Sequence, residues 1–192
     1  MNAKHKPVRG ARGSFTLIEL LIVVGIIAVL AAIALPNLLE AQVRAKVARV
    51  KADIRTISVA LEAYAVDHTL YPYFDPNNEH SYLLDIPELT TPVAYLTSLP
   101  HEVFRPPLLE SERQRYYRYY PVDYWAETFP EARALGWTWV LMSNAPDLDI
   151  DVDERGAEDV LRGGYSVIYD PTNGTISEGD IWVTNKGIIG QS

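Results

Sequence analysis

Two groups of side chains in this 192-residue sequence have types and spacing suited to chemistry. The first is Asp147-Leu148-Asp149-Ile150-Asp151-Val152-Asp153-Glu154. Its alternating carboxylates offer hard oxygen donors along one edge if the segment is extended, or a converging set if it loops, which suits calcium. The run is not an EF-hand, because Val152 stands where that loop requires glycine. A hydrated acidic loop is the simpler alternative. The second is Glu19, a carboxylate one turn into a long apolar run. An ionised side chain at the centre of a bilayer costs about 2.5–3.5 kcal/mol, so it needs a partner there unless it sits shallow enough to reach headgroups. Catalytic constellations are absent from the sequence. His5, His68, His80 and His101 lack metal-ligand spacing, and there is no Cys, no G-x-S-x-G and no phosphate loop. Catalysis is not expected of this chain.

The element that carries Glu19 is apolar from residue 15 to residue 35, broken only by Thr16 and Glu19. At 1.5 Å per residue a helix of that length reaches roughly 31 Å, the hydrocarbon core of a membrane. Lys4, Lys6, Arg9 and Arg12 precede it, and the next basic cluster begins at Arg44. The positive-inside rule therefore keeps the N-terminus in the cytoplasm and exports the rest. A cleavable secretory signal would have a shorter apolar stretch ending at a small-residue site, whereas this run continues into more helix. Charge follows the same division: +4 over residues 1–14, −1 at Glu19, +1 over residues 36–68 and −12 over residues 69–192. A head that acidic repels phosphate backbones, so no nucleic acid is expected as a partner. Without cysteine, an exported head has no disulfide to staple it and would gain from a bound ion or a partner.

Gly13-Ser14-Phe15-Thr16-Leu17-Ile18-Glu19-Leu20-Leu21-Ile22-Val23-Val24 resembles the processing and methylation motif of type IV pilins and type II secretion pseudopilins. The resemblance implies that a prepilin peptidase removes residues 1–14, cutting Ser14–Phe15, and that Phe15 is then N-methylated. Gly13 marks an alternative cut, but it would move Glu19 from the fifth to the sixth position of the product. A cut before Phe15 also creates a cationic amine that a Glu19 carboxylate, its own or a neighbour's, can pair with inside a helical bundle. The resemblance further implies assembly through Glu19 into a filament of self and other pseudopilins, on an inner-membrane platform driven by an ATPase.

Counting from Phe15, Pro36 falls at position 22, where the family often carries a helix-kinking proline. Pro36 removes one backbone donor and crowds the carbonyl of Ala32. A kink is expected instead of a terminus, because Val43, Val47, Val50, Ile54, Ile57, Leu61 and Tyr64 continue in 4-3 spacing. That stripe is expected to be the spine against which a head packs, a parallel coiled coil being the alternative. The helix should end near His68. The expected organisation is a leader at 1–14, a transmembrane half-helix at 15–35, an amphipathic half at 36–68 and a head at 69–192.

All four Trp and eleven of the twelve Tyr lie beyond residue 68, among short β-rich runs and turn signals. Residues 85–100 read as a short helical excursion with Thr91 as N-cap and Pro92 at the first helical position. Strands are expected over residues 115–120, 137–142, 165–169, 175–177 and 181–184, with Asn173-Gly174 as a tight hairpin turn that explains the Asn173-Gly174-Thr175 sequon. The fold class is α+β and pilin-like, a long N-terminal helix on a small antiparallel meander. The stretches Ala63 to Pro72, Leu89 to Leu96 and Tyr169 to Ile181 are similar to the end of the long helix, the first head helix and the C-terminal hairpin of major pseudopilins. That resemblance implies a structural calcium, here assigned to Asp147, Asp149 and Asp151 with Asp180 as a further ligand. The aromatic cluster from Tyr116 to Trp125 is read as core or subunit interface, with a sugar-binding surface as the alternative. The function expected is a pseudopilus subunit in the inner membrane and periplasm. A type IV pilin and a non-polymerising membrane-anchored binding module are the alternatives.

Overall fold

A computed structural model describes residues 16–72, 86–104, 116–123, 130–148, 168–170, 177 and 179–189. The chain divides into two compact units, residues 1–39 and residues 40–192. Its first element, α1, is a single helix over Leu17–His68. Pro36 lies inside α1, so it does not end the helix. Its missing N–H forfeits the hydrogen bond to the Ala32 carbonyl and its ring crowds that group, and the helix continues through Asn37 into Leu38-Leu39-Glu40, which are good helix formers.

In the second unit the 4-3 stripe does what its spacing predicts. Val47, Val50, Ile54, Ile57, Ala60 and Leu61 are buried, with Val43 and Tyr64 packed partly against them. The helix ends where expected. Thr69 takes the left-handed conformation at φ 62° and its amide bonds back to the Ala65 carbonyl at 2.8 Å, a C-terminal cap in which a β-branched residue sits where glycine is favoured.

The head contributes a four-stranded antiparallel sheet in the order β1 (Arg118–Pro121), β2 (Trp139–Ser143), β3 (Ile181–Thr184), β4 (Gly187–Ile188). The register pairs Tyr119 with Leu141 and Leu141 with Val183. Side chains alternate along each strand. Tyr119, Trp139, Leu141, Ile181 and Val183 therefore face the helix, while Val140, Met142 and Trp182 form a second cluster with Val122 and Ala132. Burial on both faces explains why β2 reads as an unbroken apolar run. Ala132 comes from a short helix, α2 (Pro130–Ala134), that sequence reasoning did not anticipate. β4 was also missed. It follows a two-residue turn, Asn185-Lys186, with Gly187 at φ +124°, so the asparagine and the glycine were its available signals.

The segment read as a helix with Thr91 as N-cap is different. A single 3-10 turn, Pro87–Leu89, is followed by irregular chain, and the Thr91–Pro92 peptide is cis. Thr90 and Thr91 both return their amides to the Pro87 carbonyl, at 2.9 and 2.8 Å, and Leu96 donates to Leu89 across seven residues. Thr91 therefore closes a turn instead of opening a helix, because a residue before proline is pushed out of the helical region. The strands expected over 115–120 and 137–142 are β1 and β2 with shifted ends. The hairpin at Asn173-Gly174 lies outside the described residues. Most of the strands expected over 165–169 and 175–177 lie outside them too, and Ile168 and Asp180 form an isolated parallel bridge. A Cβ on Gly179 would stand 2.5 Å from the Ile168 backbone, so only glycine permits that approach.

Candidate functional site

At the N-terminal end, Gly13, Ser14 and Phe15 lie outside the described residues. Glu19 does not point away from its own chain. Its Oε2 accepts the Thr16 amide at 2.8 Å and the Thr16 hydroxyl at 2.7 Å, and the Glu19 amide donates to Thr16 Oγ1 at 3.3 Å. This is a capping box, in which Thr16 and Glu19 satisfy each other's orphan donors at the start of α1. The pattern Thr-x-x-Glu ahead of an apolar run announces it in the sequence, and that signal was missed. Glu19 is thus held against Thr16, the residue that follows Phe15 in the sequence.

Within residues 17–39 the apolar side chains lie open, from Leu17 at 86% exposed to Val23 at 47%. One window of this helix reaches a mean hydropathy of 3.0 with none of it buried. Apolar area of this kind is stable only under lipid or neighbouring helices. Length and composition suit a membrane span.

In the second unit the helix holds its head with carboxylates as well as apolar side chains. Tyr117 donates its hydroxyl to Asp53 at 3.0 Å, and Trp139 donates its indole N–H to Glu62 at 2.8 Å. Tyr71 also donates to Glu62, and Tyr95 donates to Asp67 at 2.8 Å. Asp53, Glu62 and Asp67 are therefore anchor points for four aromatic groups: Tyr117 and Trp139, which are buried in the core, and Tyr71 and Tyr95, which pack partly against it. Asp67 pushes the Tyr95 hydroxyl up to about 12, and burial raises Tyr117 and Tyr119 further. Tyr64 and His68 stack at 4.0 Å with Tyr95 edge-on to Tyr64. Within the aromatic cluster from Tyr116 to Trp125, Tyr117 and Tyr119 are core, as expected, while Tyr124 and Trp125 lie outside the described residues. The three carboxylates were missed because each looks like an ordinary surface acid until the sheet is laid on the helix.

A buried polar group sits at the Ser143 end of β2. Glu102 Oε1 accepts the Phe104 amide at 2.9 Å and the Ser143 hydroxyl at 2.8 Å. Burial pushes the Glu102 carboxyl up, against those two bonds and the nearby Arg118 charge, which pull it down. A carboxyl raised in the folded state keeps its proton where the unfolded chain has lost it. Its contribution is thus full below the ordinary value of about 4.3 and is lost as pH rises through the higher folded value. Glu102→Gln is expected to flatten that fall. Tryptophan-fluorescence melts across acid to neutral pH check it, and an unchanged slope would assign the fall to other groups.

The acidic run is only partly visible. Asp147 is exposed in the turn after β2, and Asp180 is buried at the start of β3, its carbonyl accepting the Tyr169 amide at 2.8 Å. Asp149 and Asp151 lie outside the described residues. Among the described residues no cluster of three or more His, Asp or Glu is placed to hold an ion.

Comparison with known proteins finds likenesses at the N-terminal end of the chain. Residues 9–35 match the family described as the prokaryotic N-terminal methylation motif. The chain is 41% identical over 64 residues to type II secretion system core protein G of Pseudomonas aeruginosa, covering 33% of this chain and 45% of that one. It is 48% identical over 64 residues to the type IV wide pilus major component PilA4 of Thermus thermophilus, covering 33% and 48%. It is 42% identical over 60 residues to the type IV major pilin protein PilA of Myxococcus xanthus, covering 31% and 27%. The chain thus spans half or less of the length of these relatives. No solved structure matches. The chain therefore carries a prepilin-type methylation motif and is homologous, over a third of its length, to secretion pseudopilins and type IV pilins alike.

Proposed function

We propose that this protein is a structural subunit of a type II secretion-like pseudopilus that polymerises through α1 to drive protein export. The observation that carries the reading is the coincidence of a methylation motif over residues 9–35 with a 52-residue helix whose first half buries nothing of its own. Such a helix supplies a membrane anchor before assembly and a packing surface afterwards. The partners proposed are other copies, further pseudopilins, a prepilin peptidase and methyltransferase, and an inner-membrane platform. The orientation proposed is N-terminus in the cytoplasm and head in the periplasm, from the basic leader. A type IV pilin is the second reading, and the 48% identity to PilA4 favours it. Deleting the gene and comparing secreted proteins with surface filaments separates the two. Loss of secretion with intact surface filaments supports the first, and the reverse supports the second.

Processing provides a direct check. Co-expression with a prepilin peptidase is expected to shorten the chain by 14 residues, from the Ser14–Phe15 bond, and to leave Phe15 methylated. Intact-mass spectrometry reads this. A product that begins at Ser14, or no product, rejects the proposed bond.

The acidic run is proposed to bind calcium through Asp147, Asp149 and Asp151, with Asp180 as a further ligand. All are hard oxygen donors, the set calcium prefers, and Mg²⁺ should do less because it keeps its own waters. Binding only to the folded state adds about 2.7 kcal/mol when the ion is at a hundred times its dissociation constant. The head is therefore expected to melt higher in calcium than in chelator, and Asp149→Ala with Asp151→Ala to remove that gain. Identical melting curves in calcium and chelator leave the run a solvated loop.

A further inference from the structure

The head is acidic overall, yet one groove of about 990 Å³ between α1 and the β3–β4 turn is lined by Lys51, Arg55 and Lys186. Lys186 is the one lysine in residues 69–192. Among the described residues neither Arg55 nor Lys186 is in an ion pair. The carboxylate in the groove is Glu62, which already accepts from Trp139 and Tyr71. Apolar side chains share the lining, among them Val183 and Val59, which is 66% exposed.

The groove also runs beside an open sheet edge. β4 is the last strand of the sheet, and both of its residues line the groove. Thr184 and Gly187 pair across the two-residue turn, and Ile189 donates to Trp182 at 3.1 Å. Hydrogen-bonded pairs alternate along an antiparallel ladder, so Ile188 between them turns its N–H and C=O away from β3. From Lys51 to Glu62, α1 advances about 16 Å, the length of about five residues of extended chain. A small anion would use only the cations, and a folded acidic domain would meet the negative charge of the rest of the head. Cations, apolar side chains and an unpaired strand edge together fit an extended chain that alternates carboxylate and apolar side chains. We propose that this groove takes an extended acidic segment of another polypeptide, paired to the edge of β4 at Ile188 and held by Lys51, Arg55 and Lys186. One edge residue supplies one pair of backbone hydrogen bonds, so charge selects the segment and the apolar side chains exclude water around it. One copy carries the whole groove, and the inference stands apart from the filament reading.

The probe is a dye-labelled peptide of alternating glutamate and valine, titrated with the full-length chain in nonionic detergent and read by fluorescence anisotropy. Saturable binding is expected, and it should weaken by about tenfold or more when Arg55→Glu and Lys186→Glu are combined. Both side chains are exposed, so the melting of that variant should match the parent. If it melts lower, Arg55→Gln with Lys186→Gln takes its place. Methylating alternate backbone nitrogens of the peptide keeps every charge and removes strand pairing. One alternation should weaken binding several-fold and the other leave it unchanged, because only one set of N–H groups faces β4. Equal binding by the charge-reversed variant, by a lysine and valine peptide, or by both methylated peptides overturns the proposal. Competition by free glutamate at the same carboxylate concentration also overturns it, by reducing the groove to a site for any anion. Self-association of the parent that the charge-reversed variant loses overturns it in favour of a second copy as the occupant.

Discussion

Glu19→Val is expected to give a chain that inserts into the membrane and folds its head but enters no filament. Valine removes a desolvated carboxylate, so insertion should improve if anything. It also removes half of the capping box with Thr16, and a lost cap costs about 0.5–2 kcal/mol. In a helix of 52 residues that cost frays the first turn and leaves the buried stripe from Val47 onward untouched. On the filament reading, the loss that matters is the anion proposed to pair with the amine that a cut before Phe15 would create. Glu19→Gln separates the two roles, since glutamine also closes a capping box but carries no charge. If the charge drives assembly, both variants lose filaments completely while the four head tryptophans melt as before. If glutamine assembles normally, the carboxylate serves as a cap only. Normal filament yield from the valine variant would falsify the polymer reading and promote a simple anchor.

Ile57→Ala should lower the stability of the head by about 3 kcal/mol, the usual cost of emptying a buried isoleucine site. Ile57 is fully buried in the cluster that joins α1 to Tyr117, Tyr119, Trp139 and Leu141. Val59, two residues along the same helix, is 66% exposed, and Val59→Ala should change stability by no more than about 0.5 kcal/mol. Thermal melts of the full-length chain in detergent, followed by tryptophan fluorescence, compare them directly. Equal effects would mean that the stripe is not the spine of the head. Glu62→Ala belongs between them, because it strands the Trp139 indole and the Tyr71 hydroxyl at once. Unmet bonds to a charged acceptor are worth about 1.5–3 kcal/mol.

The sequence by itself determined the long helix, its buried face and its end near His68. Periodicity of apolar residues is a local property, and α1 obeys it from Val43 to Tyr64 whatever packs above. It determined the methylation motif for the same reason, since a processing enzyme reads contiguous residues. It also determined β2 and β3, because they are short runs rich in Val, Ile, Leu and Trp. Only the tertiary structure decided which carboxylates serve the head. Asp53, Glu62 and Asp67 become anchors when Tyr117, Trp139, Tyr71 and Tyr95 arrive from positions far away in the chain. It likewise decided that Thr91 closes a turn, because the chain there answers to Leu89, Leu96 and the core instead of to helix propensity. The groove at Lys51, Arg55 and Lys186 unites cations up to 135 residues apart in the chain. Charge and hydrogen-bond partners across such separations are set by how the sheet lies on the helix, and no local pattern encodes that.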